Sequence, residues 1–200
     1  MNILLILAVF IIFLLLVIVL RVTYKNRIYI KEIQKFDDAD SWYTLAFTDE
    51  LTGIYNRNAY NKYISEIEES DTGDKYWIIL FDIDDFKTIN DTKGHIAGDS
   101  VLQSVAKTLS SIFSSKEYNV YRIGGDEFAV VAKNITREQL TDSLFKFREV
   151  FGHGSKIKVS MGYSLIQKSV RLSFANADEM LYAVKTLKRE VHDLNENPDK

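Results

Sequence analysis

Cysteine is absent from the 200 residues. That excludes disulfide scaffolds, Cys-ligated zinc, iron–sulfur clusters and thiol nucleophiles. One proline, Pro198, and nine glycines exclude collagen-like and Pro-rich linker chains. Excess positive charge is lacking too: the formal net charge is −3, so there is no basic field for duplex nucleic acid, and no nucleic-acid partner is expected. What remains is ordinary globular composition, 46% hydrophobic, 12% aromatic and 26% charged, which excludes a disordered chain. The length suits one domain with an appendage. The mean hydropathy of −0.09 conceals a very uneven distribution.

Ile3 to Leu20 is eighteen residues without a polar side chain. As a helix this is about 27 Å long at 1.5 Å per residue, close to the ~30 Å hydrocarbon core; Val22 and slight local thinning supply the rest. A cleaved signal peptide needs a basic region before the run and a small-residue site after it. Only Met1 and Asn2 precede it, and Arg21-Val22-Thr23-Tyr24-Lys25 follow. An uncleaved, single-pass transmembrane anchor over residues 1–20 is therefore expected. Arg21, Lys25, Arg27, Lys31 and Lys35 place the following flank in the cytoplasm by the positive-inside rule. Residues 21–48 contain no Gly or Pro and predict a helical connector. Val22, Tyr29, Phe36 and Tyr43 recur every seven residues, while Asn26 and Asp40 interrupt the second row that holds Ile33 and Phe47. A short coiled coil and a lone amphipathic helix on its own domain or on the membrane surface are both compatible with this pattern.

From residue 49 onward strands and helices alternate. Tyr76 to Ile83 is an apolar, aromatic run that turns acidic at Asp82-Ile83-Asp84-Asp85. It predicts a buried central strand with carboxylates at its carboxyl end. Gly98 to Phe113 predicts a helix, with Val101, Leu102, Val105, Leu109 and Ile112 on one face. Asn119–Ile123 and Phe128–Ala132 predict two short strands joined by the Gly124-Gly125-Asp126-Glu127 turn. Thr136 and Gln139 form a capping box for a helix whose apolar face is Leu140, Leu144, Phe147 and Val150 or Phe151. Lys156 to Tyr163 alternates as a strand, and Ala175 to Lys188 predicts the last helix. After a lead-in helix the order is β-α-β-β-α-β and then a final helix. That is an α+β, ferredoxin-like split βαβ pattern with additions, so the first strand can lie beside the hairpin and bring Asp82, Asp126 and Glu127 together. Two or three carboxylates with a backbone carbonyl make a hard-oxygen site suited to Mg²⁺. Gly124 and Gly125 leave room for a phosphate or base to approach the backbone.

Gly124-Gly125-Asp126-Glu127-Phe128 spells the signature of the GGDEF family, and four further segments resemble that family in order. Asp49-Glu50-Leu51-Thr52-Gly53-Ile54-Tyr55-Asn56-Arg57 resembles its D-x-L-T-G-x-x-N-R motif. Asp82-Ile83-Asp84-Asp85-Phe86-Lys87, with Asn90-Asp91 and Gly94-His95-Ile96-Ala97-Gly98-Asp99, resembles its D-x-D-x-F-K-x-x-N-D-x-x-G-H-x-x-G-D block. Val159-Ser160-Met161-Gly162 and Ala177-Asp178-Glu179-Met180-Leu181-Tyr182 with Lys185 resemble its two C-terminal motifs. The division expected is an anchor at 1–20, a connector at 21–48, a catalytic domain at 49–190 and a polar tail at 191–200.

The resemblance implies a palm-like nucleotidyl-cyclase fold and a bacterial signalling enzyme that joins two GTP into cyclic di-GMP, releasing two pyrophosphates. It also implies a homodimer, two Mg²⁺ or Mn²⁺ per active site, and cyclic di-GMP effectors downstream. With the anchor, the enzyme is expected at the inner membrane with its catalytic domain in the cytoplasm. Metal ligands are implied at Asp82, Asp126 and Glu127 and at the carbonyl of Ile83, with Asp126 and Glu127 catalytic. Substrate contacts are implied at Phe86, Lys87, Asn90, His95, Asp99, Gly125, Lys185 and Arg189. A carboxylate at Asp99 accepts from guanine N1–H and its amine, and repels the bare acceptor of adenine. Three departures stand out: Lys188 occupies a position usually Gly, Glu190 follows Arg189 where Asn or Asp is usual, and Ser115-Lys116-Glu117-Tyr118 replaces the family's inhibitory R-x-x-D. The alternative is a catalytically silent module that keeps the fold and binds nucleotide or a partner protein.

Overall fold

The computed structural model describes residues 3–70, 73–152, 154–167 and 169–196, and within these leaves out the side chains of 3–9, 29–41 and 192–196. The chain divides at residue 45/46 into two units. The first carries all but the last two residues of helix α1 (Ile3–Phe47). Its described apolar side chains, Phe10 to Leu20, are exposed. The first seven residues of the expected span, and the heptad positions Tyr29, Ile33, Phe36 and Asp40, lie outside the described side chains. Among the described residues no helix is long and apolar enough to cross a membrane.

The second unit runs α2 (Arg57–Glu69), β1 (Tyr76–Ile83), α3 (Phe86–Lys93), α4 (His95–Ile112), β2 (Tyr118–Arg122), β3 (Glu127–Lys133), α5 (Arg137–Phe151), β4 (Val159–Ile166), α6 (Val170–Glu196). The sheet order is β2-β3-β1-β4, antiparallel throughout. This is the expected split βαβ arrangement, with β1 in the interior. Side-chain alternation divides β1 between two cores. Ile79, Phe81 and Ile83 pack against Leu102, Val105 and Leu109 of α4 and against Leu140 and Phe147 of α5. Tyr76, Ile78 and Leu80 pack against Tyr60 and Ile67 of α2 and Ala177 and Leu181 of α6. A strand covered on both faces needs no polar row, which is why Tyr76 to Phe81 reads as an unbroken apolar run.

The predicted capping box at Thr136 forms as expected, and Phe151 rather than Val150 completes the buried face of α5. The sequence pattern did not predict α3, an eight-residue helix with no fully buried residue, whose core contact is limited to the partly buried Phe86 and Ile89. Gly94, at φ 81°, separates it from α4, which starts at His95, three residues before the expected Gly98. The last helix is longer than expected: its added N-terminal turns bury Val170 and Ser173 against the core.

Candidate functional site

The same alternation fixes the direction of the acidic side chains. Asp82 lies two residues beyond Leu80, on the α2/α6 face of β1. On β3, Phe128, Val130 and Ala132 face α4 and α5, whereas Ala129 and Val131 face α2 and α6; Glu127 shares that second face. Asp82 and Glu127 are paired across the strands. The Ile83 N–H donates to the Asp126 carbonyl at 3.3 Å. The strand end and the 124–127 turn therefore meet, as the split βαβ reading anticipated.

The turn closes on Glu127, whose carbonyl accepts from Ile123 N–H at 2.9 Å and Gly124 N–H at 3.3 Å. A Cβ at Gly124 would collide with the Glu127 carboxylate, whereas one at Gly125 would meet open space. This corrects the joint reading of the two glycines. Gly124 makes room for the protein's own Glu127 side chain, and only Gly125 offers open backbone to a ligand.

Sequence reasoning missed Arg122, which braces this turn. Its Nε and Nη2 donate to the Gly125 carbonyl at 3.1 and 2.8 Å, and its Nη1 lies 3.1 Å from both oxygens of Asp49. Asp49 also accepts from Thr52 N–H at 2.9 Å and the Thr52 hydroxyl at 2.6 Å. Burial pushes the Asp49 carboxyl up, but the Thr52 hydroxyl and the Arg122 guanidinium outweigh it and hold the group below its ordinary value. An arginine two residues before paired glycines, with a distant Asp-x-x-Thr, was the available signal. Asn56 serves the fold: it caps α2 by accepting from Asn58 and Ala59 N–H.

On the other side stands α6. Gly162 of β4 lies so close to Ala177 and Leu181 that a Cβ there would collide with the helix backbone. One turn beyond Leu181, the Lys185 ammonium lies 2.5 Å from Asp82 Oδ1, a buried oxygen that accepts no regular hydrogen bond. Burial pushes the Asp82 carboxyl above its ordinary value; Lys185 opposes this, and Asp126 and Glu127 add to it by like-charge repulsion. Asp82, Ile83, Gly125, Asp126, Glu127 and Lys185 are thus gathered.

Phe86, Lys87 and Asn90 lie on α3, His95 and Asp99 at the start of α4. Asn90 and the Phe86 ring press on Gly98, where a Cβ would strike the Asn90 amide oxygen. Lys87, His95, Asp99 and Arg189 are exposed.

Among the described residues no three acidic, His or Cys side chains are grouped so as to hold a metal ion between them. The donor chemistry nevertheless fits Mg²⁺: a buried carboxylate oxygen already meets a cation, Lys185, and two more carboxylates act on it electrostatically. Mg²⁺ keeps several waters and takes substrate phosphates, so it does not need an all-protein cage.

Residues 46–191 match the family described as diguanylate cyclase, GGDEF domain. Over 148 residues the chain is 37% identical to a probable diguanylate cyclase, DgcI, of Escherichia coli (strain K12), covering 72% of this chain and 32% of that protein. It is 30% identical over 152 residues to an uncharacterised membrane protein of Staphylococcus haemolyticus, covering 68% of this chain and 42% of that one. The chain thus spans well under half the length of these relatives. A crystal structure of the coiled coil and GGDEF domain of DgcB from Caulobacter crescentus, in complex with c-di-GMP, superposes with a TM-score of 0.69 at 26% identity, covering 78% of this chain and 90% of that one.

Proposed function

Since the chain belongs to the GGDEF family of diguanylate cyclase domains, we propose that it condenses two GTP into cyclic di-GMP and two pyrophosphates. The observation that carries this reading is the meeting of Asp82, Glu127 and Lys185 at one strand end, beside a turn whose Gly125 backbone is open. In each half-reaction the 3′-hydroxyl oxygen of one GTP bonds to the α-phosphorus of the other. The bond from that phosphorus to the bridging oxygen breaks, and pyrophosphate leaves. Such transfer is mostly positioning and charge neutralisation.

Asp82, Asp126, Glu127 and the Ile83 carbonyl would hold the divalent cations, two per site, which supply Lewis-acid activation of the hydroxyl and charge neutralisation of the leaving group. Asp126 is assigned to receive the 3′-hydroxyl proton, and Glu127 to support it. Lys185 and Arg189 bind the triphosphate, with Phe86 and Lys87 bordering it. Asn90 and Asp99 read guanine beside His95, and the contact of Asn90 with Gly98 holds that amide in place. Each subunit carries one GTP, so the product forms between two subunits facing each other.

Residues 3–20 anchor the chain in the membrane, with residues 21–48 as connector and the domain at 49–190 in the cytoplasm. The unbroken apolar run, the basic flank and a relative described as a membrane protein support this. Confinement to a plane raises the local concentration of partners. The test is to incubate the full chain, in detergent, with GTP and Mg²⁺ and to identify products by mass. Cyclic di-GMP is expected, and intact GTP would overturn the reading.

A further inference from the structure

Two lysines on α6, three residues apart and so on one helical face, meet two aspartates at the end of β1. Their circumstances differ. Among the described residues the Lys185 ammonium meets a single acceptor, Asp82 Oδ1. The Lys188 ammonium meets three: Asp84 Oδ2 at 2.7 Å, Ser160 Oγ at 3.0 Å and the Val159 carbonyl at 3.2 Å. An ammonium has three protons, so this lysine is saturated.

Its partners are themselves fixed. Ser160 is buried at 1% exposure and donates its hydroxyl to Asp84 Oδ1 at 2.6 Å. The Asp84 N–H donates to the Lys158 carbonyl at 3.0 Å. Asp84, Ser160 and Lys188 form a closed triangle that joins β1, β4 and α6. A glycine at 188, usual in the resembling proteins, has no side chain with which to make it.

We propose that Lys188 is a positioning residue for the nucleotide site. By pinning the last turns of α6 to Asp84 and Ser160, it aims Lys185 at the Asp82 end of the site and leaves the Lys185 ammonium free to exchange Asp82 for a triphosphate. The inference rests on the cyclase reading of that site. Lys188 is fully spent on protein acceptors, so it does not touch substrate. Its removal acts on nucleotide affinity through Lys185 and leaves the Asp82, Asp126 and Glu127 donors where they are.

The experiment uses the full chain in detergent. It measures the affinity for a non-hydrolysable GTP analogue by calorimetry and the affinity for Mn²⁺ alone by electron paramagnetic resonance, in wild type, Lys188→Met, Lys188→Arg, Asp84→Asn and the Asp84→Asn/Lys188→Met double variant. The expected result is an analogue affinity about five-fold weaker in Lys188→Met and in Asp84→Asn, with the double variant no worse than either single one. Lys188→Arg should recover most of the loss, and Mn²⁺ affinity should stay within about two-fold in Lys188→Met. Unchanged analogue affinity in Lys188→Met overturns the inference, as do additive losses in the double variant or Mn²⁺ affinity falling in parallel with analogue affinity. Wild type that binds the analogue but forms no cyclic di-GMP refutes the cyclase reading alone. Wild type that binds no analogue refutes both.

Discussion

Arg122 spends one nitrogen on Asp49 and two on the carbonyl of Gly125, so a turn that leads out of α1 and the turn that carries Asp126 share one guanidinium. Asp49 is matched in return by Thr52. Both side chains of the pair are mostly buried, at 15% and 21% exposure, where removing one partner strands the other. Arg122→Met is expected to lower stability by about 1.5–3 kcal/mol, the range for hydrogen bonds to charged groups, and to lower activity further by loosening Gly125. Chemical denaturation of Arg122→Met, Asp49→Asn and the double variant checks this; purely additive losses contradict a shared brace.

The Asp49 carboxyl is held below its ordinary value of 3.8. Its pairing therefore stabilises the fold above that pH, and the contribution fades as pH falls below it. The stability gap between wild type and Asp49→Asn should be widest near neutrality and narrow on acidification below pH 3.8. A gap that stays constant down to pH 3 contradicts the assignment.

Asp82 has the opposite sign. Burial, with Asp126 and Glu127, raises its folded-state value above 3.8, so ionising it on the way to neutral pH costs the folded state stability. Asp82→Asn is expected to unfold at a higher temperature than wild type at pH 7, with the advantage fading as pH falls toward 3.8, while cyclic di-GMP formation is abolished. The rise in unfolding temperature separates a lost cation ligand from a lost fold. A less stable, inactive variant at pH 7 contradicts this account.

How much of this was legible before the structure depends on the physical signal. The central strand, the hairpin and the capped helix carry period and cap patterns that sequence preserves, and the two-residue alternation of β1 aims Asp82 and Glu127 at one face. Helix α3 escaped because it is eight residues long and packs on the core through only Phe86 and Ile89, neither fully buried. The Arg122–Asp49 pair escaped because 73 residues separate its partners and ion pairs have no periodicity. Lys188 showed only as a departure from pattern; its partners Asp84 and Ser160 lie 104 and 28 residues away. Gly162 was legible as a motif letter, but its purpose, backbone contact with α6, is a packing fact.

The two signature glycines are expected to respond differently. Gly124→Ala drives a methyl into the Glu127 carboxylate, so activity should fall at least ten-fold as that side chain is displaced. Gly125→Ala meets no protein atom and should leave thermal unfolding unchanged while raising the KM for GTP, as expected if the open backbone there meets substrate. Gly98→Ala should also raise KM, by pushing the Asn90 amide away. Steady-state kinetics with unfolding curves check all three, and equal behaviour of Gly124→Ala and Gly125→Ala would falsify the division of roles.

Feedback is the last expectation. The resemblance implies that many family members bind product at an Arg and an Asp, and a dianionic product needs such cationic, hydrogen-bonding partners to bind tightly. Here Ser115 and Tyr118 stand at those positions. Tyr118 is committed to the fold: its ring packs on Phe113 with centroids 5.3 Å apart, and its hydroxyl lies 3.1 Å from the buried Ser143 hydroxyl. Lys116 is an exposed point charge with no fork to grip a phosphate bidentately. Rates at saturating GTP should therefore change less than two-fold when micromolar cyclic di-GMP is added, with GTP supply and subunit pairing limiting output instead. Strong inhibition that extra GTP fails to relieve would mean that product binds through another surface of this domain. Restoring the pair as Ser115→Arg with Tyr118→Asp should introduce inhibition, at some cost in stability, because the half-buried Tyr118 ring and its packing on Phe113 are lost.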